Sequence, residues 1–114
     1  MLTEFDLFET GTLTATSGVV QAFGSSTFGV AALQAMLECH VRGLWGDIPE
    51  DDIAANDDAV MMGGRILSVY SFAETTDDVP PELLDAIPAM SDLRLWVITD
   101  ADRTVTTILF PSEY

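Results

Sequence analysis

The sequence predicts a small α+β domain: an antiparallel sheet ending in a C-terminal β-hairpin, packed against two helices. Three observations predict it. The chain has 114 residues, 48% of them apolar, which suits one domain able to bury a core without staples. A helical stripe of apolar residues runs through Val30, Leu33, Leu37, Val41 and Leu44. The C-terminal half carries three short runs rich in β-branched and aromatic residues.

In chain order, residues 7 to 17 are Thr-rich and roughly alternating, which predicts a strand or bent hairpin with Gly11 as a bulge. Ser25, Ser26 and Thr27 then offer N-caps to the helix that carries the apolar stripe. The turn Gly43-Leu-Trp-Gly46 leads to Asp47-Ile-Pro-Glu50, where a capping Asp, an early Pro and a Glu three residues on predict a second helix. Gly63-Gly64 should stop it. Its inward stripe would be Ile53 and Val60 with Asn56 between them.

Arg65 to Phe72, Leu93 to Thr99 and Thr104 to Phe110 read as three strands. The last two form a hairpin through Asp100-Ala-Asp-Arg103, because Asp opens turns well. Ala73 to Asp92 is acidic and Pro-containing. It reads as an inserted surface loop in which only Pro81 to Ile87 can form a short helix.

Charge is the most unusual feature. Nineteen Asp and Glu oppose four Arg, there is no Lys, and the formal net charge is -15. Such a chain is repelled by a phosphate backbone or an anionic membrane, so its expected partner is a basic surface. No apolar run approaches a membrane span, the N-terminus lacks the basic region of a signal peptide, and the single Cys39 cannot form an internal bridge. These features predict a cytoplasmic protein.

No constellation points to catalysis, and no cofactor or metal is expected. His40 is the only imidazole; Cys39 beside it points about 100° away on a helix, so the two cannot share a proton along one face. His40 reads as structural, bonded to the turn around Trp45 to Asp47. A small enzyme or metal binder around His40, Asp47 and Asn56 is the alternative. The acids of Glu50 to Asp52 and Asp57-Asp58 lack the spacing of a calcium loop. The chain contains no phosphate-binding Gly loop, CxxC, HExxH or GxSxG. Trp45, Trp96, Tyr70 and Phe110 read as core, since base-stacking platforms come with Lys and Arg.

Several motifs carry a resemblance: His40-Val-Arg-Gly-Leu-Trp-Gly-Asp47, Asn56-Asp57, Gly64-Arg65-Ile-Leu-Ser-Val-Tyr70, Leu95-Trp-Val-Ile-Thr99, Asp102-Arg103, and Thr106 through Tyr114. In them the chain resembles a family of small uncharacterised bacterial plasmid-related proteins. Some of those carry the label of a type I restriction methylation subunit, a role that this chain's length and lack of an S-adenosylmethionine loop argue against. The resemblance covers about half the chain and implies an origin on mobile elements, where genes that resist host defence accumulate. It transfers no catalytic residue.

Together these readings predict an acidic interaction protein, with nucleic-acid mimicry against a CRISPR or restriction complex as its sharpest form. A structural or maintenance protein of a plasmid or phage is the alternative. The expected recognition residues are Glu50, Asp51, Asp52, Asp57 and Asp58 on the second helix, and Glu74, Asp77, Asp78, Glu82 and Asp85 in the acidic segment. An acidity that only reflects a salt-adapted or Lys-poor proteome is the remaining reading.

Overall fold

The computed structural model describes residues 6–87 and 93–114, with Glu82 described by its backbone alone. The fold is α+β. Strand β1 (Thr12–Ala15) is followed by helices α1 (Ser17–Phe23), α2 (Thr27–Val41) and α3 (Glu50–Met62). Next come β2 (Ile66–Ser71), a 3₁₀ turn (Thr76–Asp78) and the short α4 (Pro81–Leu84). The hairpin β3 (Arg94–Thr99) and β4 (Val105–Leu109) and a last 3₁₀ turn (Pro111–Glu113) complete the chain.

The sheet order is β1-β4-β3-β2. β2, β3 and β4 pair antiparallel as expected, but β1 lies parallel to β4, with Leu13 opposite Thr106, so the sheet is mixed. An alternating pattern over four residues is the same for either direction. The crossover through the helices decides it.

One sheet face, presenting Leu95, Val97 and Ile108, is covered by α1, α2 and the acidic segment through Val19, Phe23, Met36, Val79 and Leu83. Ala73 to Ile87 is therefore not a surface loop throughout. Val79 and Leu83 are 4% and 2% exposed, anchoring the segment while its acids stay outside. Residues 88–92 of that predicted loop lie outside the described residues.

Helix α1 falls where the sequence signals no helix. Its seven residues include Gly18 and the β-branched Val19 and Val20, so propensity is weak. Burial of Val19, Ala22 and Phe23 supplies the stabilisation instead. Helix α2 starts as expected, with the Ser26 Oγ accepting the Gly29 N–H at 2.9 Å. Its buried side, however, is Gly29, Met36 and His40, while Val30 and Leu44 are exposed and Leu33, Leu37 and Val41 are half-buried. The predicted stripe is rotated because α2 is apolar on several sides, and Gly29 allows the close crossing over α1. A Cβ there would overlap the Phe23 backbone.

Helix α3 ends at Gly63 as expected. Asp47 does not cap it. The N-cap is Pro49, without a side-chain bond, and Asn56 with Ala59 forms the buried side while Ile53 is 38% exposed. The Asp47 Oδ2 instead accepts from Ser71 Oγ at 2.9 Å and meets Arg94 at 4.0 Å. Pairing of residues 45–47 alongside β2 carries Asp47 out of capping position: Val69 N–H donates to the Trp45 carbonyl and Asp47 N–H to the Val69 carbonyl. Gly46, with φ +79°, makes this approach possible, since a Cβ would collide with the Val69 carbonyl oxygen.

The second sheet face is covered in part by the C-terminal turn. The Tyr114 ring meets Trp96 at 5.2 Å, and Arg65 stacks on Tyr114 while donating to its hydroxyl. Trp96 is thus half-buried, as is Tyr70 against the core of the first face, whereas Trp45 and Phe110 belong to the core.

Candidate functional site

The predicted recognition acids occupy two stretches that begin at one end of β2. Ser71, its last residue, bonds Asp47, three residues before α3. The acidic segment therefore leaves the sheet beside the point where the chain enters α3.

With Asn56 and Ala59 buried, a rotation of about 100° per residue puts Glu50, Asp51 and Asp58 on the outer side of α3. Asp52 is exposed in the first turn. Glu50, Asp51 and Asp52 also sit where a helix N-terminus favours negative charge, a structural contribution of about 0.3–1 kcal/mol each at most. Asp57 is different, because its Oδ1 accepts the Trp45 indole N–H at 3.1 Å and ties α3 to the turn. In the second stretch Glu74, Asp77, Asp78 and Asp85 are exposed. Asp77 and Asp78 lie in the 3₁₀ turn and Asp85 just beyond α4. The Glu82 side chain lies outside the described part.

The positive charges are spent elsewhere. Arg103 donates from Nη1 to the Gly64 carbonyl at 2.6 Å and from Nη2 to the Ala59 carbonyl at 2.8 Å, so it closes the C-terminus of α3. Its guanidinium also lies over the Phe8 ring. Arg65 is held at Tyr114, and Arg94 meets Asp47. Among the described residues, no cation pairs with Glu50, Asp51, Asp52, Asp58, Glu74, Asp77 or Asp85. Sequence reasoning placed Arg103 only in a hairpin loop. Its reach to α3 depends on a left-handed backbone at φ +61°, which nothing local announces.

His40 is structural, but not through the turn at Trp45. It is fully buried, with Nδ1 2.6 Å from Ser68 Oγ and Nε2 2.8 Å from Thr99 Oγ1. Thr99 Oγ1 lies 2.7 Å from Thr106 Oγ1, and the Thr106 hydroxyl donates to the Thr10 carbonyl at 2.8 Å. That last bond orders the rest. Thr106 must accept from Thr99 and Thr99 from an Nε2–H, and in a neutral ring Nδ1 then accepts from Ser68. Burial, with the Arg103 charge adding to it, pushes the pKa of His40 down to about 4 from 6.5, so the ring is neutral at neutral pH and Nδ1 is the acceptor.

His40, Asp47 and Asn56 are not brought together. The imidazole is sealed between Ser68 and Thr99, Asp47 faces Ser71 and Arg94, and the Asn56 amide bonds the Leu67 backbone. No group of three His, Cys, Asp or Glu among the described residues has the geometry to hold a metal. No helix among them is long and apolar enough to cross a membrane. Comparison with family models, curated proteins and solved structures finds no match for this chain.

Proposed function

We propose that this protein acts by binding, as an acidic surface that occupies a basic groove built to hold nucleic acid. The carrying observation is the division of charge. Among the described residues, the exposed acids of α3 and of the 74–85 stretch have no cation paired with them, while Arg65, Arg94 and Arg103 are tied into the fold.

Such acids keep their full field, which steers association with a basic partner and mimics phosphate. Duplex DNA carries one charge per ~1.7 Å of its axis. Glu50 to Asp58 spans about 12 Å of helix, so α3 alone is too sparse and the second stretch must contribute. The resemblance to plasmid-related proteins favours a mobile-element setting and a DNA-binding host defence complex, of CRISPR or restriction type, as the partner.

The test is competition. A candidate defence complex is incubated with the protein, and target-DNA binding is measured with the wild type and with Glu50, Asp51, Asp52 and Asp58 changed together to Asn or Gln. Mimicry predicts inhibition that falls steeply as salt rises and is weakened in the neutralised variant while its thermal midpoint is kept. Equal inhibition by both proteins, or inhibition indifferent to salt, removes the reading.

A further inference from the structure

The two edges of the sheet differ. On the outer side of β2 the Leu67 N–H and carbonyl are taken by Asn56, and Val69 bonds residues 45 and 47. The other edge is β1. Its Thr12 N–H donates to the Thr104 carbonyl at 2.9 Å, and the Thr16 N–H just beyond it donates to the Ile108 carbonyl at 3.1 Å. Backbone groups alternate sides along a strand, so those of Leu13 and Ala15 point away from β4. Among the described residues, nothing bonds them there.

Such an edge is a template for one more strand. Lys, Pro or a covering element usually blunts it, and β1 carries neither Lys nor Pro. Leu13 shares the helix-covered face with Ala15, yet it is 54% exposed, so the cover on that face stops short of the edge.

We propose that β1 takes up an extended basic segment of a partner protein, which adds an antiparallel strand to the sheet with Lys or Arg towards the two ends of β1. The free backbone groups select a strand, and charge selects a basic one. Asp102 lies at one end, accepting the N–H and hydroxyl of Thr104, whose carbonyl takes the Thr12 N–H. Glu113 lies at the other, accepting from Thr16 Oγ1 at 2.6 Å and from the Gly18 N–H at 3.2 Å. No cation pairs with either carboxylate among the described residues, and Arg103, beside Asp102, is turned to the end of α3.

The spacing of the partner follows. Thr12 and Thr16 stand about 13 Å apart along an extended chain, so cations at positions i and i+4 of the added strand, which share a face, reach both ends. Positions i+1 and i+3 fall opposite Ala15 and Leu13 on the other face, where apolar side chains cover Leu13. A second copy fits this edge less well. Laid on β1 in either direction, it brings its own Asp102 or Glu113 against the acids of the first, in a chain whose net charge is already -15.

The probe is a capped peptide, Lys-Val-Thr-Val-Lys, titrated into the whole isotope-labelled chain to about 5 mM and followed by NMR. Two control peptides accompany it. One is N-methylated at both Val, which keeps charge and side chains but removes the donors to the Leu13 and Ala15 carbonyls; the other is Glu-Val-Thr-Val-Glu. Expected are a Kd on the order of 1 mM, shifts centred on Thr12 to Thr16, and several-fold slower amide exchange at Leu13 and Ala15. Both controls should bind roughly tenfold more weakly or worse. The α3-neutralised variant should bind the Lys peptide within about twofold of wild type, because α3 packs on β2 at the far edge of the sheet, so this result stands apart from the competition test above. Either control binding as tightly as the parent, shifts centred on α3, or no binding at the highest concentration would overturn the proposal. So would exchange at Leu13 and Ala15 that slows with protein concentration in the absence of peptide, the mark of a second copy on the edge.

Discussion

The side chain of Asn56 closes both backbone groups of Leu67: its Nδ2 donates to the Leu67 carbonyl at 2.7 Å and its Oδ1 accepts the Leu67 N–H at 3.1 Å. A helix residue thus takes the place of a further strand on the outer edge of β2. Beside it, residues 45 and 47 bond Val69, so this edge offers few free groups to another strand. The same contact fixes α3, and with it the acids that α3 presents.

Removing this amide should therefore cost more than its size suggests. Asn56→Ala leaves the Leu67 N–H and carbonyl to be desolvated unpaired, a loss of about 1–3 kcal/mol per group. Asn56→Asp keeps an acceptor but loses the donor and buries a charge, so it should be no milder. Urea unfolding monitored at Trp45 reads both, and a variant within ~0.5 kcal/mol of wild type would show that the edge contact is dispensable.

His40 makes stability depend on pH. Its folded pKa is lowered to about 4 from 6.5, so between those values the unfolded chain binds the extra proton. Its contribution is fully present above pH 6.5 and is lost as pH falls towards 4, at up to ~1.4 kcal/mol per unit. Between pH 6.5 and 5 most carboxylates stay charged, so the slope there belongs chiefly to His40. Denaturant unfolding across that window should show the slope in wild type and its absence in His40→Gln.

Ser26 keeps the capping role that the sequence suggests, whereas Asp47 does not. Ser26→Ala should cost about 1 kcal/mol, because it removes a true N-cap. Asp47→Ala removes only an exposed bond to Ser71 and a 4.0 Å ion pair with Arg94, together worth about 0–1 kcal/mol. Thermal melts of the two variants side by side should rank Ser26→Ala as the less stable.

Glu113 caps a helix from the other end of the chain. Its carboxylate accepts from Thr16 Oγ1 at 2.6 Å, Phe110 N–H at 3.1 Å and Gly18 N–H at 3.2 Å. Burial works against its charge, but these bonds prevail and hold its pKa below 4.5. Glu113→Ala should loosen α1 first, read as faster amide exchange at Val19 and Val20 than at β3. Uniform acceleration across both elements would place the loss in global stability instead.

Local chemistry alone determined several elements. Ser26 starts α2, Gly63 ends α3, and Asp100 to Arg103 turns the hairpin, with the Asp102 carboxylate accepting the Thr104 N–H and hydroxyl. Each signal is a residue whose own side chain or backbone freedom sets the geometry within a few positions. The excess of acid was equally plain.

What only the tertiary structure decided were pairings between distant residues: His40 with Ser68 and Thr99, Asn56 with Leu67, Arg103 with the end of α3, and β1 parallel to β4. The buried side of α2 belongs with these. Met36 and His40 turn inward rather than Val30 and Leu44 because β2 and β3 offer His40 two hydroxyls there, and a helix apolar on several sides has no other reason to choose. His40, Asn56, Ser68, Thr99 and Arg103 all make their bonds in these contacts. Their spacing along the chain encodes nothing about that meeting, since a hydrogen bond depends on position in space, and folding supplies the position.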